Sequence, residues 1–269
     1  MCMTTSRQDR IREKVRSRYA AVASAKRGKG CGCASATCCS PSTLVKAQSV
    51  KLGYSKRDLK AVPDGADMGL GCGNPQAIAQ LKKGEVVVDL GAGGGLDCFL
   101  AAKQVGPRGW VIGVDMTPEM VAKARANARK GGYRNVDFRL GEIEHLPVAD
   151  NTANAVMSNC VINLSLDKPQ VYREAFRVLK PGGRLAVSDV VAVKPIPSTV
   201  RRDLDKQSGC VSGAALVRDV ERMLRSAGFH RIRVTVKEES VAFIKDWFPG
   251  SGVERYVRSA IIEAVKNHA

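Results

Sequence analysis

Residues 86–97 read VVVDLGAGGGLD, and the fold follows from this stretch. Three β-branched residues run into Asp89 and Leu90, and Gly91, Gly93, Gly94 and Gly95 arrive before an apolar helical run, DCFLAAKQV. A short continuous apolar run bounded by turn residues is the pattern of a buried parallel strand. The glycines let the chain turn sharply from strand to helix and let backbone amides close on a ligand. The helix behind them points its N–H groups and positive dipole end into the same crevice. A second apolar strand, WVIGVD at 110–115, ends in Asp115, 26 positions after Asp89. A carboxylate at that point can accept both hydroxyls of a ribose.

A dinucleotide enzyme would carry GxGxxG at the first turn. Here the order is DLGAGGG, with an acid on the strand just before the turn, which resembles the S-adenosylmethionine-dependent methyltransferases of the Rossmann-like class. The rest of the chain continues an α/β pattern. Residues 117–131 form a capped helix, with Thr117 as N-cap, Pro118 at its first position and Gly131 ending it. NVDFRL at 135–140 is a strand with Asp137 facing solvent, followed by the loop GEIEHLPVAD. Residues 154–164 are the fourth strand and its exit, which puts Asn159 and Cys160 at the edge where open sheets place their ligands. An amphipathic helix at 167–183 stops at a Pro-Gly-Gly turn, a fifth strand spans 184–193, a helix spans 216–229 and a sheet-edge strand spans 230–239. The apolar periodicity of 253–268 reads as a terminal helix.

The expected fold is therefore α/β and Rossmann-like, a seven-stranded, mostly parallel sheet with helices on both faces and an N-terminal cysteine-rich arm. The divisions read as a basic arm at 1–43, a cap at 44–84, the methyltransferase domain at 85–250 and a C-terminal helix at 251–269. A length of 269 residues suffices for one such domain with appendages. The chain lacks a run of about 18 apolar residues and a secretory h-region, so a cytoplasmic monomer without membrane contact is expected. The net charge is +17, and the first 60 residues hold 14 Lys or Arg against 3 Asp or Glu. No aromatic interleaving or recognition helix accompanies that charge, so it reads as a solvated, mobile arm with no nucleic-acid partner.

Nine cysteines, an odd number widely spaced in an unsecreted chain, read as free thiols. Cys98 reads as a small apolar residue within a helix. Cys31, Cys33, Cys38 and Cys39 lack the CxxC…CxxC spacing of a zinc site. Cys72 lies in GCGNP at 71–75, where Gly71 and Gly73 allow a tight turn, and this fixed placement reads as functional. His145, with no partner motif, reads as structural or exposed.

GCGNP, DLGAGGGLD, GVDMTPEM, NVDFRLGEIEHLPV, SNCVINL, LKPGGRL and SGCVSGA, in this order over residues 38–226, resemble the arsenite S-adenosylmethionine methyltransferase family. The resemblance implies methyl transfer from S-adenosylmethionine to trivalent arsenic, with arsenite, its thiol conjugates and methylarsenite as acceptors. It implies arsenic-binding thiols at Cys72, Cys160 and Cys210, and a fourth cysteine, Cys38 or Cys39, that pairs with Cys72 during turnover. Cofactor contacts fall on Asp89, Gly91, Ala92, Gly93, Asp115, Met116, Asn159, and on Ile143 and Glu144 where the family reads adenine.

The chemistry agrees with these residue types. Trivalent arsenic is soft and binds thiolates, the ligating form of cysteine. Three sulfurs leave its lone pair on the open side, and an in-line methyl donor about 3 Å away then needs mainly positioning and desolvation. A lone pair needs no deprotonation, so no general base is required. Oxidation of the arsenic calls for electrons from protein thiols and a reductant such as thioredoxin or glutathione. Two other readings use the same residues: a methyltransferase for a quinone or sterol with the cysteines as core thiols, and a non-enzymatic arsenite-binding protein.

Overall fold

The strand read first, β1 (Val86–Leu90), lies near the centre of a seven-stranded sheet. The computed structural model describes residues 7–24, 42–201 and 210–268. Cys2, Cys31, Cys33, Cys38 and Cys39 therefore lie outside the described residues, as does the segment that precedes Cys210. The other strands are β2 (Trp110–Asp115), β3 (Val136–Leu140), β4 (Ala153–Asn159), β5 (Leu179–Ala192), β6 (His230–Lys237) and β7 (Val257–Val265). Their order is β3-β2-β1-β4-β5-β7-β6. The first five pair in parallel, and β7 enters antiparallel between β5 and β6. The strand order reverses between β1 and β4, so a crevice opens at their carboxyl ends.

The helices up to β5 are α1 (Arg7–Ser24), α2 (Ser42–Lys51), α3 (Lys56–Lys60), α4 (Gln76–Ala79), α5 (Leu96–Val105), α6 (Pro118–Lys130) and α7 (Lys168–Val178). One face of the sheet packs Phe99, Ala101 and Ala102 of α5 and Val121, Ala124 and Ala128 of α6. The other packs Val171, Tyr172 and Ala175 of α7 with Val220 and Leu224 of the helix Val217–Ser226. Cys98 is fully buried, as expected of a packing residue, although its thiol also donates to Asp89 Oδ2 at 3.1 Å. Asp137 pairs with Arg139 on the outer strand β3. No helix among the described residues is long and apolar enough to cross a membrane.

Three segments depart from the sequence reading. The helix read at 167–183 ends at Val178, and the Pro-Gly-Gly run lies inside β5, which begins at Leu179 and not at 184. The basic arm contains a packed helix: Ile11, Val15 and Ala23 of α1 are buried, and Lys123 Nζ on α6 donates to Ala23 O at 2.9 Å. With Tyr19, these residues recur every fourth position, an apolar stripe hidden among charges. The third departure is the terminal segment, which is strand β7 and not a helix. AIIEAV satisfies either period, and the tertiary context decides. The 14-residue β5 offers an open edge, and β7 pairs along it from Arg184↔Val265 to Ala192↔Val257. Ile262 sits 2 % exposed in the core face of that strand. Ile262→Ala should cost about 2–5 kcal/mol in urea unfolding, a loss that a frayed terminal helix would not produce.

Candidate active site

Each of the described sequence-read site residues belongs to one of two adjoining places at the carboxyl ends of β1, β2, β4 and β5. The first is a cavity lined by Asp89, Gly91, Ala92, Gly93, Asp115, Met116, Ile143, Glu144 and Asn159, the nine positions read as cofactor contacts. Gly91 takes φ +72°, and a Cβ there would collide with Val161. At Gly94 a Cβ would lie 2.8 Å from Ala66 O, so cap and glycine turn touch backbone to backbone. Asp115 closes β2 and is held from two sides: Gly93 N–H donates to Oδ2 and Thr117 N–H to Oδ1, both at 2.9 Å. Glu144 is fixed by the Ser165 hydroxyl at 2.5 Å. Each carboxylate keeps lone pairs for a ligand, since an ionised carboxylate can accept about four hydrogen bonds.

The wall is acidic. Asp67, Asp89, Asp97, Asp115, Glu142 and Glu144 face Arg12 as the single basic residue among the described lining residues. Burial pushes Asp89 well above the usual carboxylate range, with the charge of Asp97 adding to it. Burial also raises Asp97 to about 6, against hydrogen bonds from Tyr54, Asn159 and Gln76 that pull it down. Desolvated acids at this density favour a cationic ligand and disfavour a phosphate.

The roof comes from segments whose part in the site was not read from sequence. Arg12, Val15 and Tyr19 of α1 and Tyr54 of the cap line the cavity. Arg16 reaches Glu142 at 3.6 Å. The Tyr54 hydroxyl donates to Asp97 at 2.8 Å. The fourfold stripe of α1 and the acid that ends GGGLD are the signals by which these could have been found. His145 lies in the loop after β3 and does not line the cavity.

The second place is a pocket of sulfur. Cys72, Cys160 and Cys210 are all buried and share one apolar cluster with Val190, Ile196 and Ile244. The thiols of Cys72 and Cys160 and a carboxylate oxygen of Asp189 lie within 4.8 Å of one another. The Cys210 thiol donates to Cys160 O at 2.9 Å. Asp189 is clamped by Ile162 N–H, Asn163 Nδ2 and Val190 N–H at 2.9, 2.9 and 2.7 Å. Residues 72, 160 and 210, distant in sequence, thus meet beside the cavity that Cys160 also lines.

Local sequence explains how. Gly71 and Gly73 serve for space, not for the φ freedom expected of a tight turn, since neither has a positive φ. A Cβ at Gly71 would lie 2.7 Å from Asn159 Nδ2, and one at Gly73 2.6 Å from Ser188 Oγ. Asn159 Oδ1 accepts from Cys72 N–H at 3.1 Å, and Ser259 of β7 donates to Cys72 O at 2.9 Å. The loop carrying Cys210 docks through Gly213, where a Cβ would strike Asn163 O. Cys160 and Cys210 hold left-handed backbone, φ +59° and +67°.

A family model described as a methyltransferase domain matches residues 81–228. The arsenite methyltransferase of Halobacterium salinarum is 50% identical over 266 residues, covering 96% of this chain and 67% of that protein. The arsenite methyltransferase of Aquipseudomonas alcaligenes is 45% identical over 59% of this chain, which spans 47% of that protein's length. Among solved structures, the arsenic(III) S-adenosylmethionine methyltransferase of Chlamydomonas reinhardtii aligns with a TM-score of 0.61 and 32% identity, covering 86% of this chain and 75% of that one.

Burial pushes the Cys72 thiol above its usual value of 9.0. For Cys160 the bond with Cys210 pulls down, but the bond with Cys72 and burial outweigh it, and the thiol rises well above that value. For Cys210 the bond with Cys160 and then burial raise it. A raised native pKa means that the folded protein keeps protons the unfolded chain releases. The stability this gives is complete below the ordinary thiol pKa and is lost as pH climbs past it. Iodoacetamide should therefore leave all three cysteines unmodified in the native protein at pH 7, and Cys160 and Cys210 should still resist it at pH 9, where an ordinary thiol is largely reactive. Peptide mapping at both pH values would check this.

Proposed function

The chain belongs to the arsenite methyltransferases, and on that premise we propose that its acidic crevice holds S-adenosylmethionine while Cys72, Cys160 and Cys210 hold trivalent arsenic. The observation that carries the assignment is the gathering of three buried thiols beside a cavity whose wall is six parts acid to one part base. The residues present fit the cofactor. At Gly91, Gly94 and Gly95 the turn has no room for side chains, which suits close approach of a ligand to backbone amides. A carboxylate ends β2 where ribose hydroxyls are accepted. The remaining acids suit a sulfonium and an α-ammonium. When bound, S-adenosylmethionine supplies an electrophilic methyl group.

In this reading Asp115 takes the ribose, Ile143 N–H and the Glu144 carboxylate read the adenine edge, and Asp89 and Asp97 face the cationic end. α1 and the cap exclude water from above. Arsenite exchanges its hydroxides for cysteine sulfur, each thiol proton leaving with a hydroxide as water. The dry pocket of Val190, Ile196 and Ile244 strips solvent from the arsenic, so its lone pair is the nucleophile and no side chain acts as base. Carbon–sulfur cleavage and arsenic–carbon formation leave arsenic formally oxidised by two electrons. A fourth thiol attacks one of the coordinated sulfurs: a disulfide forms, the arsenic–sulfur bond breaks with its electron pair returning to arsenic, which restores the trivalent state, and the thiol proton leaves to solvent. Cys72 is the partner we assign, with Cys38 or Cys39, which lie outside the described residues. A dithiol or glutathione-class reductant then reopens the bond.

Incubation with arsenite, S-adenosylmethionine and a thiol, followed by arsenic speciation, tests the reading directly. Cys160→Ser should bind S-adenosylmethionine as the native protein does and form no methylated product, whereas wild-type turnover in that variant would refute the assignment. Cys72→Ser should lose methylation of arsenite but retain a substantial part of it with methylarsenite, which has two exchangeable positions. Equal losses on the two substrates would count against the role given to Cys72.

A further inference from the structure

Asn159, the last residue of β4, touches both places. Its Oδ1 accepts from Cys72 N–H at 3.1 Å, and its Nδ2 donates to Gly73 O at 2.9 Å. The same Nδ2 donates to the Tyr54 hydroxyl at 2.9 Å and reaches Asp97 Oδ2 at 3.3 Å. Tyr54, 3 % exposed, donates in turn to both oxygens of Asp97 at 2.8 and 3.0 Å. Asp97 opens α5 behind the glycine turn and faces the cavity. One amide thus clamps the backbone on both sides of a thiol while tied, directly and through one phenol, to a carboxylate of the crevice.

The contacts leave little slack. A single side-chain atom at Gly71 would collide with this amide, so Asn159 and the Cys72 turn move together or not at all. Asp97, raised by burial to about 6, is largely ionised near pH 7, and the side chains that bond its carboxylate, Tyr54 and Asn159, are neutral. A cation seated beside it completes the ionisation and fixes the carboxylate in place, and hydrogen bonds to an ionised acceptor are shorter and roughly twice as strong as neutral ones. The Tyr54 and Asn159 bonds both end on that acceptor, so both tighten, and the orientation of the amide is fixed with them.

We infer that Asn159 is a positioning residue through which a cationic ligand in the crevice and trivalent arsenic at Cys72 strengthen each other's binding. This rests on the ligand assignments made above and goes beyond them by joining the two sites energetically. Such coupling is reciprocal by thermodynamic necessity, and factors of about 5–150 are typical.

The test uses sinefungin, an analogue with an amine in place of the sulfonium that transfers no methyl group. Arsenite dissociation constants are measured by equilibrium dialysis with and without it, and sinefungin constants by calorimetry with and without arsenite. In the native protein each ligand should tighten the other by the same factor, about tenfold. In Tyr54→Phe, which keeps the ring and removes the hydroxyl, and in Asn159→Ala, both factors should fall below about twofold. A residue that merely supported the fold would weaken each ligand separately and leave the factor unchanged. Native protein that binds both ligands independently overturns the inference, as does a Tyr54→Phe protein that keeps the native factor. Should Asn159→Ala fail to fold, Tyr54→Phe alone decides. Native protein that binds neither ligand overturns the ligand assignments as well.

Discussion

The backbone at Gly71-Cys72-Gly73 is pressed against the ends of β4 and β5 so closely that no Cβ fits on either side of the thiol. This contact lets a sulfur carried by the cap join one that directly follows β4 and one carried by the loop before the helix Val217–Ser226. It is held by side chains from three strands: Asn159 of β4 on the Cys72 N–H, Ser188 of β5 against Gly73, and Ser259 of β7 on the Cys72 carbonyl. The terminal strand therefore does more than complete the sheet. As a helix, the same segment would leave Cys72 without the hydroxyl that anchors it.

Charge divides the molecule into two regimes. The chain as a whole is strongly basic, at +17, yet the cavity wall is acidic. Composition speaks for the exterior, and the site obeys only its own residues. This division also separates the cofactor classes that a glycine turn leaves open. A dinucleotide would bring two phosphates against Asp89 and Asp97, both already costly to ionise because they are buried. A sulfonium relieves the same pair.

The central strands, the glycine turn and the acid ending β2 were legible because each is a local pattern with a local cause. Among the nine crevice positions, Asp89, Asp115 and Asn159 stand at or near strand ends and Gly91, Ala92 and Gly93 on the glycine turn, whereas Ile143, Glu144 and the set of three thiols came from the family resemblance. What escaped depends on partners far along the chain. Tyr54 is unremarked in sequence until Asp97, 43 residues away, accepts its hydroxyl. The stripe Ile11, Val15, Tyr19, Ala23 was written in plain helical spacing but was masked by the charges between its members. The segment AIIEAV fits either period, and only the vacant edge of β5 resolves it.

Cys160 and Cys210 occupy backbone that glycine or asparagine would hold more comfortably, at a cost on the order of 1 kcal/mol each. Drift under a demand for folding alone would erode both toward those residues. A cysteine at either position carries that cost, in keeping with the arsenic-binding role proposed for it. The rest of the domain must carry enough surplus stability to tolerate it.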